Sequence, residues 1–294
     1  MQAEVRIERY ADQGRCVAHI DGRVVFVRFA LPGELVRIEL DEPHDRDERF
    51  WTGEVVEVVQ ASDDRVEPAW ALAGPLAMGG GVGGADLVHV SLPGQLTWKA
   101  VTISEQMKRL GHVDVTVPIS RADGDEELGG LHWRTRIEMI ADDNGKPSMR
   151  RRGTHVRVPL TTMPLATNAL LDVAAANGIW DGGFEPGSQI RLSVPEPRHG
   201  EGSASVGDDY AVLVDGELQA GTRQLTERVT VAGREFSYMV DANGFWQVHR
   251  EAPVALANHV IDLVRGEMDG AVSAVLWDLY SGSGYSFITD SDGN

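Results

Sequence analysis

Apolar and polar positions alternate over Leu35-Val36-Arg37-Ile38-Glu39-Leu40-Asp41: Val36, Ile38 and Leu40 fall to one side, Arg37, Glu39 and Asp41 to the other. A period of two residues marks a strand with one face in a core and one in water. Val5 and Ile7, residues 22–29 and residues 52–59 read as further short strands, separated by Gly, Pro and Asp signals. Residues 1–62 therefore predict a small all-β unit.

Helical spacing takes over at Leu96, Ala100, Ile103, Met107 and Leu110, which predicts a helix with that face in the core and Gly111 as its stop. A second, shorter helix is predicted over 168–177, and a third where Leu256, Ala257, Val260, Ile261 and Val264 share a face. Between them, residues 133–140 alternate and Asp142-Asp143-Asn144-Gly145 turns the chain over. Further strands are expected at 188–194, 211–218 and 227–231. An apolar strand over 271–279 then runs into Ser281-Gly282-Ser283-Gly284. The expected fold class is α+β, with a central β-rich domain at 66–236 and a third region at 237–294.

Composition narrows the function. The chain has 294 residues, with 45 acidic against 27 basic side chains and a formal charge of −18. Such a charge repels a polyanion at long range, so any nucleic-acid contact has to come from a local basic cluster. The densest cluster is the stretch carrying Arg134 and Arg136 and then Arg150, Arg151, Arg152 and Arg157. A guanidinium fork suits phosphate, and a solvated strand face balanced by nearby carboxylates is the competing reading. Cys16 is the single cysteine, which excludes an internal disulfide and any thiolate metal site built from this chain alone. No metal site is expected. No run is long and apolar enough to span a membrane, and the N-terminus lacks the layout of a secretory signal, so a cytoplasmic monomer with no membrane partner is expected.

A Gly-x-Gly after a strand is by itself a weak sign, equally at home in a tight strand-to-helix turn. It stands here, however, with Gly244-Phe245-Trp246-Gln247-Val248-His249, a helix-patterned segment and Asp278-Leu279-Tyr280-Ser281-Gly282-Ser283-Gly284. Together these resemble the S-adenosylmethionine site of the RNA uracil-5-methyltransferases. Gly22-Arg-Val-Val-Phe-Val-Arg-Phe-Ala-Leu-Pro-Gly-Glu34 resembles, in turn, a TRAM domain, an OB-like β-barrel that binds RNA. A structural barrel without a ligand is the alternative there.

The resemblance implies an N-terminal OB-like barrel, an RNA-facing central domain, and the start of a C-terminal α/β Rossmann-like methyltransferase domain at 237–294. It implies S-adenosylmethionine as cofactor, contacted by Gln247 and Tyr280 and by the backbone at Gly282 and Gly284. RNA is the implied partner, ribosomal ahead of transfer RNA, through Arg134, Arg136, Arg150, Arg151 and Arg152. Many family members also hold an iron–sulfur cluster on four cysteines. Trp70, Val82, Ala85 and Met163 stand at those positions, and apolar side chains cannot replace thiolates, so no cluster is expected.

In the family a cysteine thiolate adds to carbon 6 of uracil, which makes carbon 5 nucleophilic toward the methyl donor, and a base then removes the carbon 5 proton. The corresponding cysteine and base are expected beyond Asn294, and this chain alone is expected not to methylate. The alternative is a non-catalytic RNA-binding module derived from such an enzyme.

Overall fold

The computed structural model describes residues 1–41, 49–195, 209–231 and 233–268. The expected strand at 271–279, and with it Tyr280, Gly282 and Gly284, lies outside the described residues. The described chain divides into two compact units: residues 1–121 with 148–160, and residues 122–147 with the described residues from 161 onward.

In the first unit, β1 (Gln2–Arg6), β2 (Arg9–Tyr10), β3 (Arg15–Ile20), β4 (Arg23–Arg28), β5 (Leu35–Leu40) and β6 (Phe50–Gln60) form one sheet in the order β1-β5-β6-β4-β3-β2. The β4–β6 pairing is parallel and the others are antiparallel. Alternation puts Val25, Val27, Val36, Ile38, Leu40 and Val55 in the core, where Cys16 and Ala18 of β3 join them. Burial of a large aliphatic side chain contributes about 1.5–3 kcal/mol, so this set dominates the unit's stability.

The Leu31-Pro32-Gly33-Glu34 turn is fixed by the carboxylate of Glu34, which is fully buried. Its two oxygens accept from Leu31 N–H at 2.8 Å, Ser62 N–H at 3.1 Å, and Nε and an Nη of Arg65, both at 2.6 Å. Phe29 sits at a φ of 59°, a left-handed conformation disfavoured for a bulky side chain. It is held there because its carbonyl accepts from Arg65 at 2.7 Å and its ring lies under the guanidinium of Arg152 and makes a T-shaped contact with His89.

Helix α1 (Leu92–Gly111) starts at Ser91, whose side chain caps Gly94 N–H, and ends with His112, not Gly111, in the left-handed conformation. Its expected core face is corrected by the structure: Ile103, Met107 and Leu110 are exposed, Leu110 by 70%. Its fully buried residues, Gly94 and Trp98, both lie in its first two turns. Trp98 is buried against the sheet core and donates its indole N–H to Ala11 O at 3.2 Å. At Gly94 a Cβ would stand 2.9 Å from Val90 and 3.0 Å from Asp64, so only glycine lets the helix approach there. Strands β8 (Pro147–Arg150) and β9 (Arg157–Pro159) pair antiparallel and complete the unit.

In the second unit, β7 (Arg136–Ala141), β10 (Gln189–Ser193), β11 (Ala211–Val214) and β12 (Glu217–Gly221) lie in the order β12-β11-β10-β7, each pair antiparallel. The turn after β7 is built by Asp142, whose Oδ1 accepts from Asn144 and Lys146 N–H while Gly145 takes a φ of 72°. Helix α2 (Asn168–Ala176), capped by Thr167, packs against β10. Strands β13 (Gln224–Val231) and β14 (Arg234–Asp241) then form a hairpin whose register runs from Gln224↔Asp241 to Val231↔Arg234. Val229, Val231 and Val240 of that hairpin share a core with Trp246 and with Ala257 of α3 (Ala252–Met268). A domain boundary at 236/237 would cut β14 in its middle. The hairpin packs with Trp246 and α3 on its C-terminal side.

Candidate functional site

Two segments that stand far apart in sequence meet in the second unit. Thr135 N–H donates to Val248 O at 2.8 Å, and Arg250 N–H donates to Trp133 O at 2.9 Å. The Thr135 hydroxyl reinforces the first contact at 3.2 Å. This antiparallel bridge, centred on Arg134 and His249, sets Gln247-Val248-His249 beside Trp133-Arg134-Thr135. On its other edge, Arg134 bridges Ala166 in parallel, and Trp133 and Arg134 N–H both donate to Leu165 O. Three short extended pieces thus share their backbone hydrogen bonds, with the Trp-Arg-x-Arg segment in the middle.

The side chains of the 244–251 segment divide by task. Trp246 is buried against Tyr238, with ring centroids 5.5 Å apart, and anchors the segment. Phe245 is 83% exposed. Gln247 between them and the bridge is half-buried, and its carboxamide offers both donors and an acceptor. The His249 ring stacks on Trp133, with centroids 5.3 Å apart and planes at 17°. Its Nε2 faces Asp125 Oδ2 at 3.2 Å, and its Nδ1 accepts from Glu251 N–H at 3.2 Å. Asp125 had no signal in the sequence beyond membership of an acidic loop, because its partner lies over a hundred residues away. Of the four expected cofactor residues, Gln247 is placed, and Tyr280, Gly282 and Gly284 fall outside the described residues.

The expected arginines are divided between the two units. Arg134 and Arg136 belong to the second unit, and Arg150, Arg151 and Arg152 to the first. Arg136 is corrected outright: it is buried and donates from Nη2 to Glu227 Oε1 at 2.6 Å, so it is not open to a phosphate. Arg134 is half-buried with its guanidinium 5.1 Å from the Trp133 ring, and burial lowers its pKa. Arg152 is likewise spent on the protein itself. It donates to Val82 O at 2.6 Å, Gly74 O at 2.9 Å and Ala73 O at 3.2 Å, and lies over the Phe29 ring at 4.5 Å. Arg151 is half-buried, with its backbone bridging Val82, and Arg150 is exposed. Of the five, Arg150 is the one that is exposed as a whole residue.

The positions that hold a cluster in other family members carry a buried indole at Trp70, a fully buried isopropyl at Val82, the methyl of Ala85 and the buried thioether of Met163. None is a thiolate, and this donor set does not fit an iron–sulfur cluster. The thiol of Cys16 is buried in the sheet core and donates to Ala30 O at 3.2 Å, and burial pushes its pKa up. It cannot serve as a nucleophile there. His89 is buried too, and its Nε2 faces Ala30 O at 3.4 Å. Burial pushes its pKa down to about 3, which keeps the ring neutral and structural. Among the described residues no group of His, Cys, Asp and Glu side chains could hold a metal ion, and no helix is long and apolar enough to cross a membrane.

Residues 2–56 match the TRAM domain. A protein of Bifidobacterium longum, named an uncharacterized RNA methyltransferase, is 76% identical over 286 residues, which are 97% of this chain and 66% of the relative. One of the same description from Streptomyces avermitilis is 32% identical over 303 residues, 96% of this chain and 67% of its own. A 23S rRNA (uracil(1939)-C(5))-methyltransferase of Halomonas elongata is 33% identical over 229 residues, 77% of this chain and 42% of its own. Among solved structures, the Pyrococcus abyssi tRNA (uracil-54, C5)-methyltransferase in complex with S-adenosyl-L-homocysteine shares the fold at a TM-score of 0.53. It is 16% identical, over 96% of this chain and 69% of that one. The chain spans about two thirds of the length of the first curated relatives it matches.

Proposed function

Because this chain belongs to the RNA methyltransferase family, we propose that it takes part in transferring a methyl group from S-adenosylmethionine to carbon 5 of a uridine, in ribosomal RNA ahead of transfer RNA. The observation that carries this reading is the backbone bridge that sets Gln247 beside the Trp133–Thr135 segment. It puts the residue expected to touch the methyl donor on a fixed, hydrogen-bonded edge. The preference for ribosomal RNA follows the Halomonas elongata relative, whose sequence likeness is twice that of the transfer-RNA enzyme that shares the fold.

The methyl donor would supply an electrophilic sulfonium methyl. Gln247 suits its polar part: a neutral carboxamide can hold a hydroxyl or carboxylate without bringing a charge near the sulfonium. Trp246 fixes the backbone next to it, and the exposed ring of Phe245 offers an aromatic face beside it. The TRAM unit and the exposed Arg150 would supply RNA affinity, and the chain's net negative charge confines that contact to a small area.

The test is 5-methyluridine in RNA from cells that lack the gene. Mass spectrometry should show one site lost from ribosomal RNA and restored by the intact gene. Unchanged 5-methyluridine in both ribosomal and transfer RNA would remove the proposal. Calorimetry with S-adenosylhomocysteine should in addition show weaker binding for Gln247→Ala.

A further inference from the structure

His249 makes more contacts than a helix start requires. Its Nδ1 accepts from Glu251 N–H just ahead of α3, which is the capping part of its work. Since Nδ1 accepts, the ring proton sits on Nε2 and is donated to Asp125. The ring also lies flat on Trp133, whose own backbone N–H is bound to Leu165 O. Neither the stack nor the Asp125 bond helps a helix cap. Both act on the orientation of the imidazole, and through it on the backbone two residues upstream.

Asp125 is in turn held firmly. Gly130 N–H donates to Asp125 O at 2.8 Å, and Leu128 N–H to Gly124 O at 3.3 Å, so the loop folds back on itself. At Gly124 the φ is +74°, and a Cβ would stand 2.7 Å from an Nη of Arg250. The loop therefore closes on both His249 and Arg250, with the Asp125 Oδ1 buried and without a hydrogen-bond partner. A loop packed this closely transmits its position to whatever it touches.

We propose that His249 is a positioning residue for the methyl-donor contact: oriented by Asp125 and Trp133, it holds the 247–249 backbone so that the Gln247 carboxamide keeps one orientation. The loop at residues 121–130 is then the element that sets the donor site from outside it. This rests on the reading of Gln247 as the donor contact.

The experiment compares the full chain with Gln247→Ala, His249→Asn and Asp125→Ala, by calorimetry with S-adenosylhomocysteine and by amide hydrogen exchange. Asparagine at 249 keeps a short side-chain acceptor for Glu251 N–H and loses both the ring and the donor to Asp125. A residue that only caps α3 would tolerate it. A positioning residue would not: His249→Asn and Asp125→Ala should each weaken binding about tenfold, the worth of roughly one hydrogen bond. Peptides covering 244–251 should exchange faster while α3 keeps its protection. Wild-type affinity in His249→Asn with weaker binding in Gln247→Ala overturns the positioning role and leaves the donor reading standing. Equal affinity in all four proteins, or no binding by the unmodified chain, overturns both. Faster exchange confined to α3 reduces His249 to a cap.

Discussion

Among the described residues each unit holds a buried arginine–glutamate pair whose hydrogen bonding is on view, Arg65 with Glu34 and Arg136 with Glu227, and the two are made differently. In the first unit Glu34 accepts four hydrogen bonds, two of them from backbone N–H groups and two from a bidentate Arg65. In the second, Glu227 meets a single Nη of Arg136, while Nε and Nη1 of that arginine are buried with no hydrogen-bond partner. A buried ion pair offsets its desolvation only when its geometry is good and its remaining donors are satisfied. The comparison separates a pair that holds a fold together from one that the fold tolerates. It also shows why counting arginines says little about RNA.

Removing Arg65 is the strongest way to test that difference. Arg65→Ala strands a fully buried carboxylate and frees the Phe29 carbonyl that Arg65 holds in its left-handed conformation. Breaking one side of such a pair removes about 3–5 kcal/mol. Urea denaturation should show a loss of that size, and a loss below about 1 kcal/mol, the range of an exposed ion pair, would mean the two pairs do not differ.

The second unit should respond in the opposite direction. Replacing the Arg136 and Glu227 pair together by Met and Leu removes two desolvated charges and their unmet donors. Such replacements are neutral or stabilising by about 1–4 kcal/mol. The same double replacement at Glu34 and Arg65 should destabilise, because Leu31 and Ser62 N–H lose their acceptor. A pH profile sharpens the contrast. Burial, ahead of the opposing pull of Arg136, raises the pKa of Glu227. The folded chain therefore binds the proton more tightly than the unfolded one between the ordinary carboxylate value and the raised one, and stability falls as pH rises through that window. In Glu227→Gln that downward slope should vanish, as read from denaturation midpoints.

Arg152→Ala tests whether an arginine in a basic run can be wholly structural. It loses three carbonyl contacts and the Phe29 stack. Bonds from a charged donor contribute about 1.5–3 kcal/mol, and Arg152 is only half-buried, so a loss near the lower end is expected in thermal or urea unfolding. Its RNA affinity, measured where the variant is folded, should match wild type.

How much was legible in the sequence depends on how local each cause is. Strands β4 and β5, helix α2 and the turn at Asp142–Gly145 come from periodicity and short-range bonding, and they appear where the pattern placed them. Helix α1 forms where its spacing placed it and lost its face, because Gly94 and Trp98 are its buried residues and periodicity does not report which end of a helix is covered. Strand β14 was missed because Arg234, Glu235, Ser237 and Met239 give it a wet outer face and its pairing depends on β13. At the candidate site Gln247 was visible by resemblance. The Asp125, Trp133 and His249 contacts were not, since a stack and a side-chain hydrogen bond between distant residues leave no spacing to read. The arginines were not sorted for the same reason: Arg136 and Arg150 look alike in a sequence, and the buried partner Glu227 tells them apart.

The smallest effect on stability should come with a measurable effect on RNA. Arg150 sits at the end of β8, exposed, with its backbone paired to Arg157. Arg150→Ala leaves no buried group unpaired, so unfolding should shift by no more than about 0.5 kcal/mol. If its guanidinium contacts a phosphate, the variant releases one counterion fewer, and the slope of log affinity against log salt should fall by about 0.7–0.9. Arg136→Met in the same assay should leave that slope unchanged, because its charge never reaches solvent. Equal slopes for wild type and Arg150→Ala on single-stranded and duplex RNA would take Arg150 out of the interface.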